Sequence, residues 1–293
     1  MSLLRNHSLL LLSCLFCLGS VQQNFAEEST QLPQIESLHP RIESVTWYSQ
    51  QLKKQKRFSV VFPNGYTSPN AKPNRNWPVL FLLHGRGRHD RSLIEDQEAR
   101  AQLLQANFFI ILPQGDDGWY IDSPHRKQDR YESYLTELIT FSKSRYPLSK
   151  HPADRALAGW SMGGYGAMHY LVRHPDDFSA IVTLIGLIDF PREGLPSGQS
   201  YKVPLDRFGT DQNRWKFMNP IHGVKKLDQK SILLLTADKA FDRTMNENFA
   251  QQLQALKISH QFEMLEGGHT FSVVRSGLKK MIPFLNTHFS EIQ

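Results

Sequence analysis

Gly159-Trp160-Ser161-Met162-Gly163 forms a Gly-x-Ser-x-Gly pentapeptide, preceded by the apolar Ala156-Leu157-Ala158 and followed by Gly164-Tyr165-Gly166-Ala167. In this spacing a serine sits on a sharp strand-to-helix turn, with its hydroxyl lifted above the sheet edge. The small residues two places away let strand and helix pass closely. The chemistry such a turn serves is nucleophilic attack on an acyl carbon. The N–H of Met162, at the helix start, is then the first candidate donor to an oxyanion.

A hydroxyl attacks poorly until a base takes its proton, and the base needs an acid to orient it. In a strand–turn–helix site of this kind the acid and then the histidine follow on loops after later strands. His269, in Glu266-Gly267-Gly268-His269-Thr270, lies between the last expected strand and the last expected helix. It is the candidate base among the 12 histidines. Two aspartates, Asp238 and Asp242, follow the apolar run at 231–235. Asp238 is nearer the strand end and is the expected acid, whereas Asp242 reads as an N-cap or first-turn residue of the next helix. The loop His84-Gly85-Arg86-Gly87 should supply the second oxyanion donor, the N–H of Arg86. His84 precedes the serine and is assigned a structural role. The Arg86, Arg88 and Arg91 side chains read as solvated loop charges in preference to contacts with an anionic substrate group.

These residues need a sheet to position them. Residues 79–83 and 108–112 are continuous apolar runs that read as buried strands, and 178–185, 231–235 and 261–265 read as further strands. Helical spacing at 91–106, 131–146, 162–174, 244–256 and 271–289 alternates with them, which predicts a mostly parallel sheet with helices on both faces. Residues 42–50 and 57–63 alternate as an antiparallel hairpin. The loop at 115–130 and the irregular stretch at 189–220, an excursion over the site, should build the substrate pocket. Trp119, Tyr120 and Trp160 are the candidates to line it.

The chain has 293 residues, 40% of them apolar and 21% charged, enough for one large core. Its net charge of +6 is scattered and forms no basic stripe, so nucleic-acid binding is not expected. There is no metal-ligand spacing and no phosphate loop, so no metal or cofactor is expected. Residues 1–26 have the form of an export signal: Arg5, then an apolar run at 9–18 too short to span a bilayer. Leu11-Leu12-Ser13-Cys14 is a poor lipid-attachment match because Leu12 is bulky. Both cysteines, Cys14 and Cys17, fall inside this segment, so an exported (periplasmic or secreted) mature chain would carry no disulfide. The expected organisation is a loose lead-in at 27–40 and a single domain at 41–293. Nothing here indicates the oligomeric state.

Residues 79–85, Leu112-Pro113, Gly118-Trp119-Tyr120-Ile121-Asp122-Ser123, Tyr131-Glu132-Ser133-Tyr134, Gly159 through Ala167, Asp238-Lys239-Ala240-Phe241 and Gly267-Gly268-His269 together resemble the secreted Putative esterase family of α/β-hydrolases. That family includes tributyrin esterases, feruloyl esterases, S-formylglutathione hydrolases and mycolyltransferases. The resemblance implies an α/β-hydrolase fold and a serine carboxylesterase that cleaves short-chain or small aromatic acyl esters, with a small-molecule ester or acylated saccharide as substrate. It leaves open an acyltransferase to a sugar or lipid alcohol, or a silent hydrolase fold used for binding. Two departures stand out. The loop after His84-Gly85 is rich in arginine, and the acid strand ends in Thr236-Ala237-Asp238, not in a Gly-x-x-Asp form, which keeps Asp242 in play.

Overall fold

The computed structural model describes residues 32–66, 76–194 and 201–291. The expected export signal at 1–26, with Cys14 and Cys17, lies outside the described residues. Nine strands form one sheet: β1 (Gln34–His39), β2 (Ile42–Ser49), β3 (Lys54–Val61), β4 (Val79–Leu83), β5 (Phe109–Pro113), β6 (Arg155–Trp160), β7 (Ala180–Leu184), β8 (Ser231–Ala237) and β9 (Gln261–Leu265). Their spatial order is β1-β2-β3-β5-β4-β6-β7-β8-β9. β1, β2 and β3 pair antiparallel and β3 meets β5 antiparallel, while every pair from β5 onward to β9 is parallel.

The helices are α1 (Ser92–Glu95), α2 (Gln97–Leu103), α3 (Tyr131–Arg145), α4 (Met162–Arg173), α5 (Leu205–Phe208), α6 (Gln212–Met218), α7 (Arg243–Ala255) and α8 (Phe271–Ser290). Successive residues of a strand point to opposite faces, so one strand feeds two cores. On β4, Val79, Phe81 and Leu83 pack with residues of α3, α4 and α7. Leu80 and Leu82 pack instead with residues of α1, α2 and α8. The run Val79–Leu83 is buried throughout for this reason. The α/β-hydrolase arrangement, a mostly parallel sheet covered on both faces, is the observed fold. None of the helices among the described residues is long and apolar enough to cross a membrane.

The structure departs from the sequence reading in three places. Residues 34–39 are not a loose lead-in; they form the exposed edge strand β1, paired along β2 from Gln34↔Thr46. The helix expected at 91–106 is two helices, because Asp96 takes an extended conformation (ψ 118°) and its carboxylate accepts from the N–H of Ala99 as the cap of α2. The stretch at 189–220 carries two short helices, α5 and α6.

Register brings the site together. Leu83 of β4 lies beside Gly159 of β6, Trp160 beside Leu184 of β7, Leu184 beside Leu235 of β8, and Ala237 beside Leu265 of β9. Parallel strands share a direction, so the loops that follow all of these residues emerge at one rim.

Candidate active site

Ser161 is where β6 ends and α4 begins. Its backbone has φ 55° and ψ −120°, a strained conformation for a residue with a side chain. The turn is held from both sides, since Ser161 N–H donates to the Leu184 carbonyl at 3.1 Å and Tyr165 N–H to the Ser161 carbonyl at 3.0 Å. The motif spacing has a direct cause. A Cβ on Gly159 would lie 2.2 Å from the Gly163 carbonyl oxygen, so backbone meets backbone where the strand turns into the helix.

The Ser161 Oγ is 2.8 Å from His269 Nε2, and His269 Nδ1 is 2.6 Å from Asp242 Oδ1. A carboxylate can only accept, so Nδ1 carries the imidazole proton and Nε2 turns a lone pair toward the hydroxyl. This is the orientation a base needs. The aspartate is fully buried, and its other oxygen accepts from Thr236 Oγ1 at 2.8 Å and Asn246 Nδ2 at 3.0 Å. Phe241 lies against the imidazole at 4.2 Å between centroids, and Tyr201 stacks on Phe241 at 5.4 Å with ring planes 6° apart.

The carboxylate at the imidazole is therefore Asp242, and the expectation of Asp238 is corrected. Asp238 continues the ladder to the next strand, with its N–H on the Leu265 carbonyl, and its Oδ1 accepts the N–H of Gly267 at 2.7 Å. It ties the acid loop to the histidine loop. Asp242 does occupy the N-cap position of α7, but its side chain makes no cap bond because it turns inward to His269.

Met162 opens α4, where the first backbone N–H groups have no acceptor within the helix. Arg86 follows Gly85, and a Cβ built on Gly85 would sit 3.3 Å from Ser161 Cβ, so the loop after β4 runs against the serine. The Arg86 N–H makes no backbone hydrogen bond among the described residues. These are the two N–H groups the sequence singled out. His84 is structural in its contacts: Nε2 accepts from Gly115 N–H at 2.8 Å, which leaves Nδ1 to donate to the Gly85 carbonyl at 2.8 Å. Burial pushes its imidazole down to about 4, with the Gly85 hydrogen bond opposing.

A cavity of about 160 Å³ opens over the serine, lined by Trp160, Ile185, His269 and Phe271 among others. Trp160 thus lines the site as expected, but Trp119 and Tyr120 have no exposed surface. Tyr120 accepts the His84 N–H at 3.1 Å, and Trp119 stacks on Phe190 at 5.3 Å. Neither residue lines the cavity. Phe241 and Tyr201 were missed. Phe241 had one sequence signal, its place beside Asp242; Tyr201 sits in an irregular stretch and had none. Among the described residues no group of three or more His, Cys, Asp or Glu side chains could hold a metal ion.

Comparison with known proteins gives a consistent picture. An acetyl esterase of Caldicellulosiruptor saccharolyticus is 26% identical over 148 residues, which is 49% of this chain and 55% of that protein. An esterase of Mycobacterium tuberculosis is 26% identical over 246 residues, covering 73% of this chain and 52% of its own. The chain spans about half the length of these relatives. A ferulic acid esterase structure superposes with a TM-score of 0.68 at 22% identity, covering 85% of this chain and 98% of that one. The fluorophosphonate-binding serine hydrolase F of Staphylococcus aureus gives 0.73 at 19% identity, covering 84% and 98%. These two share the fold. The Putative esterase family matches residues 49–285, a span that holds Ser161, Asp242 and His269 together with most of the sheet, and the chain belongs to that family.

Proposed function

We propose that the protein is a serine carboxylesterase in which Ser161, His269 and Asp242 act as nucleophile, base and orienting acid. The observation that carries this is the unbroken chain of contacts, 2.8 Å from Oγ to Nε2 and 2.6 Å from Nδ1 to Oδ1, ending on a buried carboxylate. Ser161 Oγ attacks the ester carbonyl carbon while Nε2 takes its proton. The oxyanion that forms is held by the N–H groups of Met162 and Arg86. Collapse breaks the bond to the alcohol oxygen, which leaves with the proton from Nε2. Water then attacks the acyl-serine, giving its proton to the same nitrogen, and the acid departs as Ser161 regains its hydrogen.

The cavity of about 160 Å³ suits a small group, and its aromatic neighbours Trp160 and Phe271 suit a flat one. A short-chain or small aromatic ester is the substrate class this supports, in keeping with relatives named acetyl esterase and feruloyl esterase. A fluorophosphonate probe should label wild-type protein once per chain and fail on Ser161→Ala, whose kcat on p-nitrophenyl acetate should fall by about 10⁶-fold. Labelling that survives Ser161→Ala would place the nucleophile elsewhere.

A further inference from the structure

Three arginines around the loop after β4 each have a carboxylate partner: Arg57 with Asp90, Arg86 with Asp117, and Arg91 with Glu36. Arg88 differs. Among the described residues no carboxylate meets its guanidinium, which lies over the ring of Phe271 at 4.9 Å from the centroid. Its backbone is fixed by a turn, with Arg88 N–H on the Gly85 carbonyl at 3.1 Å. Arg88 lines the same cavity as Ser161 and His269, and no described residue lining that cavity is acidic. A stacked guanidinium is weakly hydrated and keeps its planar edge of N–H donors free, the geometry that receives a carboxylate or phosphate.

Position decides which half of an ester it would meet. Phe271 follows His269 by two residues and opens α8, so Arg88 stands on the imidazole's side of the cavity. The leaving alcohol oxygen must come to Nε2 to collect its proton, so the alcohol half lies on that side. We propose that Arg88 is a specificity-determining residue that selects esters whose alcohol half carries an anionic oxygen group. This rests on the esterase reading and narrows it to a substrate class.

The test is kcat/KM at neutral pH for 4-acetoxybenzoate, its neutral methyl ester, 4-acetoxyphenyl phosphate and monophenyl succinate, the last with its charge on the acyl half. The readout is the ratio of each charged ester to the neutral one, in wild type, Arg88→Gln and Arg88→Lys. Arg88→Gln should lower the ratio for the alcohol-side anions about fivefold to tenfold, with Arg88→Lys between and the succinate ratio unmoved. A larger drop for the benzoate or for the phosphate tells which anion the site fits. In wild type the same ratio should fall at high salt, a reading that needs no variant. Ratios within twofold of wild type in Arg88→Gln, or an effect confined to the succinate, would overturn the proposal. Loss of turnover on every ester together with loss of fluorophosphonate labelling in wild type would instead overturn the esterase reading itself.

Discussion

Replacing Asp242 by asparagine should disable catalysis while leaving the fold almost untouched, and the contacts say why. Oδ2 of Asp242 receives two donors, the Thr236 hydroxyl at 2.8 Å and the Asn246 amide at 3.0 Å. The carbonyl oxygen of an asparagine would take that place, because its NH₂ would meet those donors head on. The NH₂ is then left facing His269 Nδ1, where it can only donate. A donor at Nδ1 forces the imidazole proton onto Nε2, which stands 2.8 Å from Ser161 Oγ. The nitrogen that should take the serine proton would already carry one. In serine proteases with the same constellation this tautomer reversal costs about 10⁴ in kcat, the equivalent of about 5.5 kcal/mol of transition-state stabilisation.

Asp238→Asn supplies the control. The Asp238 carboxylate accepts one bond, from Gly267 N–H at 2.7 Å, and an amide oxygen can accept it as well. That variant should stay within about threefold of wild type, the scale of one weakened hydrogen bond. Turnover of p-nitrophenyl acetate by both variants, with thermal melts to establish that each is folded, decides the matter. The reasoning fails if Asp242→Asn keeps a tenth of wild-type kcat, or if Asp238→Asn is the variant that loses activity.

Acid should destabilise the protein in two separate windows. Burial holds neutral the His84 imidazole at about 4, below its ordinary 6.5, so its contribution is complete above pH 6.5 and is lost as pH falls toward 4, at most about 3 kcal/mol. Urea unfolding of wild type and His84→Gln across that range should show a steeper decline in wild type; parallel slopes would refute it. For Glu132, burial alone would raise the carboxyl, but its pairing with His169 and Arg173 outweighs this and holds the group at about 2. Its stabilisation is therefore present above the ordinary carboxylate range and is lost between about pH 4.5 and 2, a step that should be missing from melts of Glu132→Gln. Gly159→Ala would put a methyl 2.2 Å from the Gly163 carbonyl oxygen; displacing that backbone should cost about 1–3 kcal/mol of stability, read as a lower denaturant midpoint, and lower kcat by moving Ser161. Phe241→Ala should remove the ring that packs on the imidazole and lower kcat/KM about tenfold, with Phe241→Tyr restoring most of it.

The central strands were readable because a strand buried on both faces must be apolar at every position, as Val79–Leu83 is. Edge strand β1 was not, since one with four exposed residues out of its six leaves no apolar pattern. The turn that carries Ser161 was legible for a local reason. A reversal from φ 55° at Ser161 into a helix demands small residues at fixed offsets, and that demand is written into consecutive positions. Trp119 and Tyr120 misled because aromatic residues in a loop look the same in sequence whether their rings face a cavity or the core.

Sequence by itself determined the parts of the site that local backbone geometry controls: the serine on its turn, the histidine after two glycines, and the order in which strands and helices alternate. Only the tertiary structure chose between the two aspartates. Asp238 and Asp242 are four residues apart on one loop, and which carboxylate reaches the imidazole depends on where the chain turns after β8. There the strand ladder ties Asp238 to the Gly267 backbone, while Thr236 of β8, Asn246 of α7 and the distant His269 close around Asp242. A partner chosen by groups as far as 27 residues away leaves no mark in the spacing of its neighbours.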